Sequence, residues 1–318
     1  MKLSRQIALL LGLALLFAAF DAAVYNVFTK RYIDTRSDEM KGKSVEVSEY
    51  LPFDADSGIV HTDSDVKLSG DLPRLDGAAA LFPVFSAFVE AVYPKECVKY
   101  VDGDFTADSA LQYSNTRGAY KAVVDGEVDL IFCAKPSGEQ LEYAKEKGVE
   151  LTLVPIGYEA FVFIVNKDNP VDDLSVEQVK GIYSGKYTKW LEVGGDDGYI
   201  DALQRNEGSG SQTSMLSFMG DTKMRRPLLG AIAGRAIGYS FRYYVEGLAA
   251  NGAVKMLSLN GVYPSEENIA NGAYPVCSNF YAVYDEANEN PNIRKLIDFI
   301  LSEEGQTIIR ESGYVPLK

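Results

Sequence analysis

A chain of 318 residues with 47% hydrophobic side chains has enough apolar material for one large or two medium domains with a buried core, which excludes disorder as its ground state. With 31 Lys and Arg against 45 Asp and Glu, the net charge of −14 excludes a nucleic-acid partner and a surface drawn to anionic lipid. An anion site on such a chain must work through donors aimed at short range, because the overall field opposes it and is screened over about 10 Å at ordinary ionic strength.

Residues 1–28 open with Lys2 and Arg5, run apolar from Ile7 to Phe20, and continue through Asp21 and Asn26 to Phe28. A basic flank followed by such a run is an export signal. No small-x-small cleavage site follows it and no cysteine is there to carry a lipid, so a signal peptide and an uncleaved membrane anchor both stay open. A helix continuing to Phe28 is about long enough to span, with Lys2 and Arg5 inside and the remainder outside. Residues 29–74 are polar and turn-rich without sustained periodicity, which predicts a tether or an arm lying on the folded part; the only histidine, His61, falls here. Asp54-Ala55-Asp56 and the later Asp102-Gly103-Asp104 lack the Gly and Glu positions of an EF-hand loop and read as solvated acidic turns.

From Leu75 strands and helices alternate. An Ala-rich stretch through Ala79 and Ala80 runs into a helix with Pro83 in its first turn and Val84, Phe85, Phe88, Val89 and Val92 on one side. The N–H groups of residues 79–81 either reach a ligand or pack in a core turn. Residues 111–114 read as a strand, Asn115 and Thr116 as a cap, 117–125 as a helix closed by Gly126, and 128–133 as a buried strand. Thr116 then sits at a strand's C-terminal end and a helix N-terminus, where open α/β sheets bind ligands. Lys135-Pro136-Ser137 follows at the equivalent edge, with Ser137 as the cap of a helix ending at Gly148.

Residues 150–155 and 158–165 are read as two strands, and 166–170 as a turn leading out of the first lobe. Ser175-Val176-Glu177-Gln178 is a capping box for a helix stopping near Gly185, and Trp190 is a core or lobe-surface aromatic. Further on come a strand at 236–239, a helix through Ala250, strands at 254–257 and 280–284, and helices at 293–300 and 305–312. The three cysteines have no metal-like spacing; Cys133 reads as a core thiol, and a bridge between Cys97 and Cys277 is left open.

The stretch that organises this chain is Arg205-Asn206-Glu207-Gly208-Ser209-Gly210-Ser211-Gln212, followed by an amphipathic run to Met219. Gly208 and Gly210 let backbone approach a ligand, Ser209 and Ser211 bring hydroxyls and can cap a helix, and Arg205 adds a planar fork of donors suited to a tetrahedral oxyanion. The competing reading is a Gly-Ser linker; Arg205 and the helix behind it decide for the anion cradle. A P-loop would need Lys before its hydroxyl residue, no Gly closes a G-x-G-x-x-G pattern, and no nucleophile elbow is formed.

In this order and spacing, Asp76-Gly77-Ala78-Ala79-Ala80, Ser114-Asn115-Thr116-Arg117-Gly118, Val128-Asp129, Ala134-Lys135-Pro136-Ser137, Arg205…Gly208-Ser209-Gly210-Ser211 and Ala236-Ile237-Gly238-Tyr239 resemble the phosphate-binding proteins of ABC phosphate importers over roughly residues 75–318. The Arg205 to Ser211 stretch is the specific part. The resemblance implies an α/β, two-lobed periplasmic-binding-protein clamp of type II-like architecture, with the ligand cleft between lobes and an N-terminal hydrophobic helix ahead of it. One lobe would be 75–165 with 272–318, the other 166–271. It implies Arg205, Ser209, Gly210 and Ser211 as second-lobe ligands, Glu207 as the residue orienting Arg205, and Thr116 as a first-lobe hydroxyl donor. Ala79 and Ala80 stand where the family commonly has Ser or Thr, leaving only backbone N–H groups. Lys135 stands where many members have an Asp that accepts the ligand's proton, and a Lys135 facing the cleft implies weaker discrimination between phosphate and sulfate.

The implied function is capture of inorganic phosphate, or a similar tetrahedral oxyanion, outside the cytoplasm and its delivery to an ABC permease. The protein would be a monomer tethered by its N-terminal helix, without cofactor or metal and without chemistry of its own. The alternatives are an anchored anion sensor of the same fold and, less favoured, a phosphatase. The phosphatase lacks a nearby histidine and an acidic metal cluster.

Overall fold

The structure is a computed structural model that describes residues 45–205, 209–225, 235–248 and 252–317. The hydrophobic helix expected at 1–28, the start of the arm, Glu207 and the end of the helix expected through Ala250 lie outside these residues.

The strands are β1 (Leu75–Gly77), β2 (Tyr100–Val101), β3 (Asp104–Phe105), β4 (Leu130–Cys133), β5 (Leu151–Asn166), β6 (Asp173–Leu174), β7 (Asp201–Ala202), β8 (Ala236–Phe241), β9 (Val254–Met256), β10 (Ser258–Leu259) and β11 (Cys277–Asp285). The helices are α1 (Phe82–Val92), α2 (Asn115–Val124), α3 (Gly138–Lys147), α4 (Val176–Ser184), α5 (Gly210–Met219), α6 (Glu266–Ala270), α7 (Pro291–Ile300) and α8 (Glu303–Glu311). The main sheet runs β1-β4-β11-β5-β8-β7, with β9 also on β5. Its outer pairs, β1 with β4 and β7 with β8, are parallel, while β11 and β5 are antiparallel to their neighbours.

β5 is the element that joins two cores. Residues 151–160 pair with β11, and residues 161–166 pair with β8 and β9. On one side of the changeover Phe85, Phe88, Phe132, Phe280 and Phe299 pack together under α1, α7 and α8. On the other, Phe161, Phe163, Tyr183, Met215 and Tyr239 pack under α4 and α5. The sequence reading split β5 into two strands at Pro155-Ile156-Gly157; the structure keeps one strand and absorbs the interruption as a bulge. Tyr281 pairs with Pro155 and Phe280 with Gly157, leaving Ile156 as the extra residue where proline offers no ladder donor. A side chain at Gly157 would lie 2.5 Å from the Phe280 ring, so the glycine lets the two strands close over the bulge.

Residues 45–74 lie on the folded part, with Val45, Ile59 and Leu68 buried in the first core. Glu90 on α1 anchors the arm: one carboxylate oxygen accepts the Phe53 N–H at 2.6 Å and the other meets His61 Nδ1 at 2.6 Å. That hydrogen bond raises the His61 pKa above its ordinary value. Asp102 and Gly103, at φ 53° and 88°, make the two-residue turn between β2 and β3, as an Asp-Gly pair does in a tight hairpin.

Ser137 with Gln140 and Ser175 with Gln178 form the two capping boxes. The strand expected at 111–114 reduces to a single bridge between Leu111 and Leu75, and α2 begins at Asn115 rather than after Thr116. Both follow from Asp76, which takes the Ser114 N–H and hydroxyl away from any strand ladder. Trp190 is a core residue whose Nε1 donates to the Arg235 carbonyl. All three cysteines are free; Cys97 packs against the first core, Cys277 against the second, and Cys133 is fully buried. Among the described residues no helix is long and apolar enough to cross a membrane, and no group of three His, Cys, Asp or Glu is placed to hold a metal.

Candidate functional site

A cleft of about 370 Å³ opens where the C-terminal ends of the parallel strands β1 and β4 face the N-terminus of α5. From the first side it is lined by the short turn Ala79–Leu81 that leads into α1, by Asn115, Thr116 and Arg117 in the first turn of α2, and by Ala134. From the second side come Arg205 and the residues Ser209, Gly210 and Ser211 that open α5. Three helical N-termini therefore point unpaired N–H groups into one space, which is the backbone arrangement that binds anions. Gly210 marks how near the sides come: a Cβ built there would lie 3.5 Å from Thr116 Oγ1 and 3.8 Å from the Ala134 Cβ.

The first side is held by a buried carboxylate. Asp76, in the middle of β1, accepts the Gly77 N–H at 2.6 Å, the Ser114 N–H at 2.8 Å and the Ser114 hydroxyl. Burial raises its pKa, while the bonds from Ser114 and Gly77 pull the other way. The effect is to pin the turn before α2, where Asn115 takes a left-handed φ of 63°, and so to set where Thr116 enters the cleft. Arg117 reaches out to Glu139 on α3 at 3.3 Å, an exposed pair.

The second side is held by a clamp around Arg205. Its backbone N–H donates to Gln212 Oε1 and to the Tyr239 hydroxyl, each at 3.0 Å, and that hydroxyl donates in turn to Gln212 Oε1. Burial pushes the Tyr239 phenol up to about 12, so it stays a donor. The Gln212 N–H caps the helix on Ser209 Oγ at 3.2 Å. Accepting that bond leaves the Ser209 hydroxyl proton to donate elsewhere, and the cleft is beside it.

Of the candidates from sequence, Ala79, Ala80, Thr116, Arg205, Ser209, Gly210 and Ser211 line this one cleft. Lys135 does not: β4 ends at Cys133, Ala134 faces the cleft, and the next residue turns to the exposed side. Glu207 lies outside the described residues. Glu159, which the sequence pattern does not single out, also lines the cleft. This residue of β5 is 5% exposed and accepts the Ala160 N–H at 2.9 Å and a bond from the Tyr243 backbone. Burial pushes its carboxyl up to about 8, against the pull of those bonds and of Arg242. The available signal was a lone carboxylate inside the apolar run from Tyr158 to Val165, since an acidic residue is rarely buried without a reason. The roles of Asp76 and Tyr239 carried no comparable signal, because each depends on a partner far away in the chain.

Residues 73–304 match the family described as the PBP superfamily domain. Protein SphX from Synechococcus elongatus is 24% identical over 84% of this chain and 84% of its own. The phosphate-binding protein PstS from Bacillus subtilis is 25% identical over 79% of this chain and 82% of its own. A Clostridium perfringens protein solved with bound phosphate is 27% identical, with a TM-score of 0.59 over 77% of this chain and 99% of that one. An ABC-type phosphate transport receptor from Vibrio cholerae, at 20% identity and a TM-score of 0.55 over 76% of this chain and 99% of its own, shares the fold.

Proposed function

This chain belongs to the PBP superfamily, and we propose that it is an extracytoplasmic binding protein that captures inorganic phosphate between two lobes and delivers it to an ABC permease. The observation that carries this reading is the convergence of three helical N-termini and Arg205 on one cleft of a chain whose net charge is −14. Such a site recognises an oxyanion by short-range donors alone. The names of the relatives, phosphate-binding proteins among them, supply the choice of phosphate.

In the complex, the N–H groups of Ala79 and Ala80 and the Thr116 hydroxyl hold the anion from one lobe. Arg205, the Ser209 and Ser211 hydroxyls and the Gly210 N–H hold it from the other, with Glu207 orienting the guanidinium. Lobe one comprises 75–160 with the C-terminal stretch after Cys277, and lobe two begins at Phe161 rather than at 166 and runs to about Cys277, because Phe161, Phe163, Val165 and Tyr274 pack in the second core; β5 is one of the connections. The anion stabilises the closed clamp because donors from both lobes reach it only there. The protein binds and releases without making or breaking a bond. Export and tethering through residues 1–28, a monomeric state and docking on the permease belong to the same proposal.

Calorimetric titration with phosphate tests it. Micromolar or tighter binding that is lost in Arg205→Ala supports the reading; absence of phosphate binding by the intact protein overturns it.

A further inference from the structure

The cleft has two kinds of wall. Its donors come from the turn at 79–81, the first turn of α2 and the start of α5, while four apolar side chains line the same space: Leu81, Ala134, Phe241 and Phe280. Most of these are fixed by a core. Leu81 and Phe280 are buried in the first core, with the Phe280 ring against that of Tyr314 at 5.3 Å, and Phe241, the last residue of β8, sets its ring against Phe161 at 5.9 Å. Ala134 follows directly on β4. Two of the four stand beside the donors themselves: a Cβ built on Gly210 would lie 3.5 Å from Thr116 Oγ1, but also 3.6 Å from Phe241 Cε2 and 3.8 Å from the Ala134 Cβ. A methyl group and an aromatic ring therefore adjoin the place where the donors of the two sides come together. The turn into α1 adds no hydroxyl there, since its cleft residues 78–80 are all alanine.

We propose that the cleft also takes alkylphosphonates, with the three phosphonate oxygens on the cradle and the alkyl group against Ala134 and Phe241. The inference rests on the reading of the cleft as a cradle for a phosphorus oxyanion. A tetrahedral phosphorus anion presents four substituents, and donors must meet all four only if all four are oxygen. A phosphate oxygen turned toward a methyl group and a phenyl ring is desolvated without a partner, whereas a carbon in that place leaves water for apolar contact. Binding alone shows the difference. A site with a donor for every oxygen rejects an analogue lacking one by about 10⁴-fold, because its own polar groups are left unpaired, while an apolar wall makes no such demand. The volume agrees: about 370 Å³ lies within the range of about 300–1,000 Å³ that holds small organic ligands, and the five heavy atoms of phosphate fill a small part of it.

The test is calorimetric titration of the intact protein with phosphate, methylphosphonate and ethylphosphonate at pH 7, repeated on Arg205→Ala and Ala134→Ser. At that pH the Glu159 carboxyl, pushed up to about 8 by burial, is mostly protonated and sets no charge against any of the three. Methylphosphonate is expected to bind within about tenfold of phosphate, and ethylphosphonate about fourfold tighter than methylphosphonate, the gain from one more buried methylene. Both phosphonates are lost together with phosphate in Arg205→Ala. Ala134→Ser, which brings a hydroxyl to the apolar wall, shifts the balance several-fold toward phosphate and away from methylphosphonate. Phosphate binding with methylphosphonate more than about tenfold weaker overturns the inference and leaves the phosphate reading standing. The same follows from an ethyl group that weakens binding, from phosphonate binding that survives Arg205→Ala, or from a phosphate-to-phosphonate ratio unchanged in Ala134→Ser. Methylphosphonate binding without phosphate binding keeps the cradle and overturns the phosphate reading alone. Absence of all three anions overturns the phosphate reading and this inference with it.

Discussion

The two sides of the cleft hold their donors by different means. On the first, the donors are backbone N–H groups and a threonine hydroxyl, fixed from behind by the buried carboxylate of Asp76, while the one cation there, Arg117, is paired outward with Glu139. On the second, the donor is a full charge on Arg205, held by a small clamp of Tyr239 and Gln212 at the edge of the second core. The difference teaches where each kind of energy resides. The first side contributes geometry, so damage there registers as lost stability together with lost affinity. The second contributes charge, so damage there registers in affinity while the core beneath stays intact.

Arg205→Ala breaks the comparison most sharply. Loss of a charge-assisted donor to a desolvated oxyanion costs about 3 kcal/mol, a hundredfold or more in phosphate affinity, with an unchanged melting temperature. A loss under about fivefold would remove Arg205 from the centre of the site.

Asp76→Ala probes the other side. It strands the Ser114 and Gly77 N–H groups and the Ser114 hydroxyl, for a loss of about 2–3 kcal/mol in urea denaturation, with weaker phosphate binding in parallel. Unchanged stability would show that the carboxylate does not hold this wall.

Between the two sides, Glu159 gives the anion-free protein a pH dependence of known sign. Its folded pKa, at about 8, is above that of the unfolded chain, so the folded state binds the extra proton. The contribution is fully present below the unfolded pKa and is lost as pH rises toward 8. Relative to Glu159→Gln, the wild type loses on the order of 3 kcal/mol between about pH 5 and pH 8, read from melting curves at each pH. A difference that grows in the opposite direction would refute the assignment.

Smaller still is Tyr239→Phe, which opens the clamp on Arg205 without touching its charge. About 1 kcal/mol is expected, a several-fold loss of phosphate affinity, with the phosphate-to-sulfate ratio unchanged at each pH. The smallest effect is none: with Cys97 packed in one core and Cys277 in the other, unfolding midpoints with and without a reductant should coincide.

The local signals were legible where the cause is local. The capping boxes at Ser137 and Ser175, the proline opening α1 and the glycine-serine stretch opening α5 all work within a few residues of themselves. Pro155 misled because its missing N–H breaks a strand by itself, whereas opposite β11 it is accommodated by one extra residue. Lys135 differs from its expectation because it lies past the end of β4, where its place after a strand does not fix which way it turns; Ala134 lines the cleft and Lys135 is exposed.

What the amino-acid order settled alone is the class of chemistry: helix N-termini rich in small residues and one arginine specify an oxyanion cradle, because capping and backbone exposure are decided within one turn of chain. What the tertiary structure decided is which charges accompany that cradle. Glu159, Tyr239 and Asp76 enter through partners 34 or more positions away or through a shared cleft. Burial, which sets whether a carboxyl carries its proton, is a property of the packed molecule and of no segment within it.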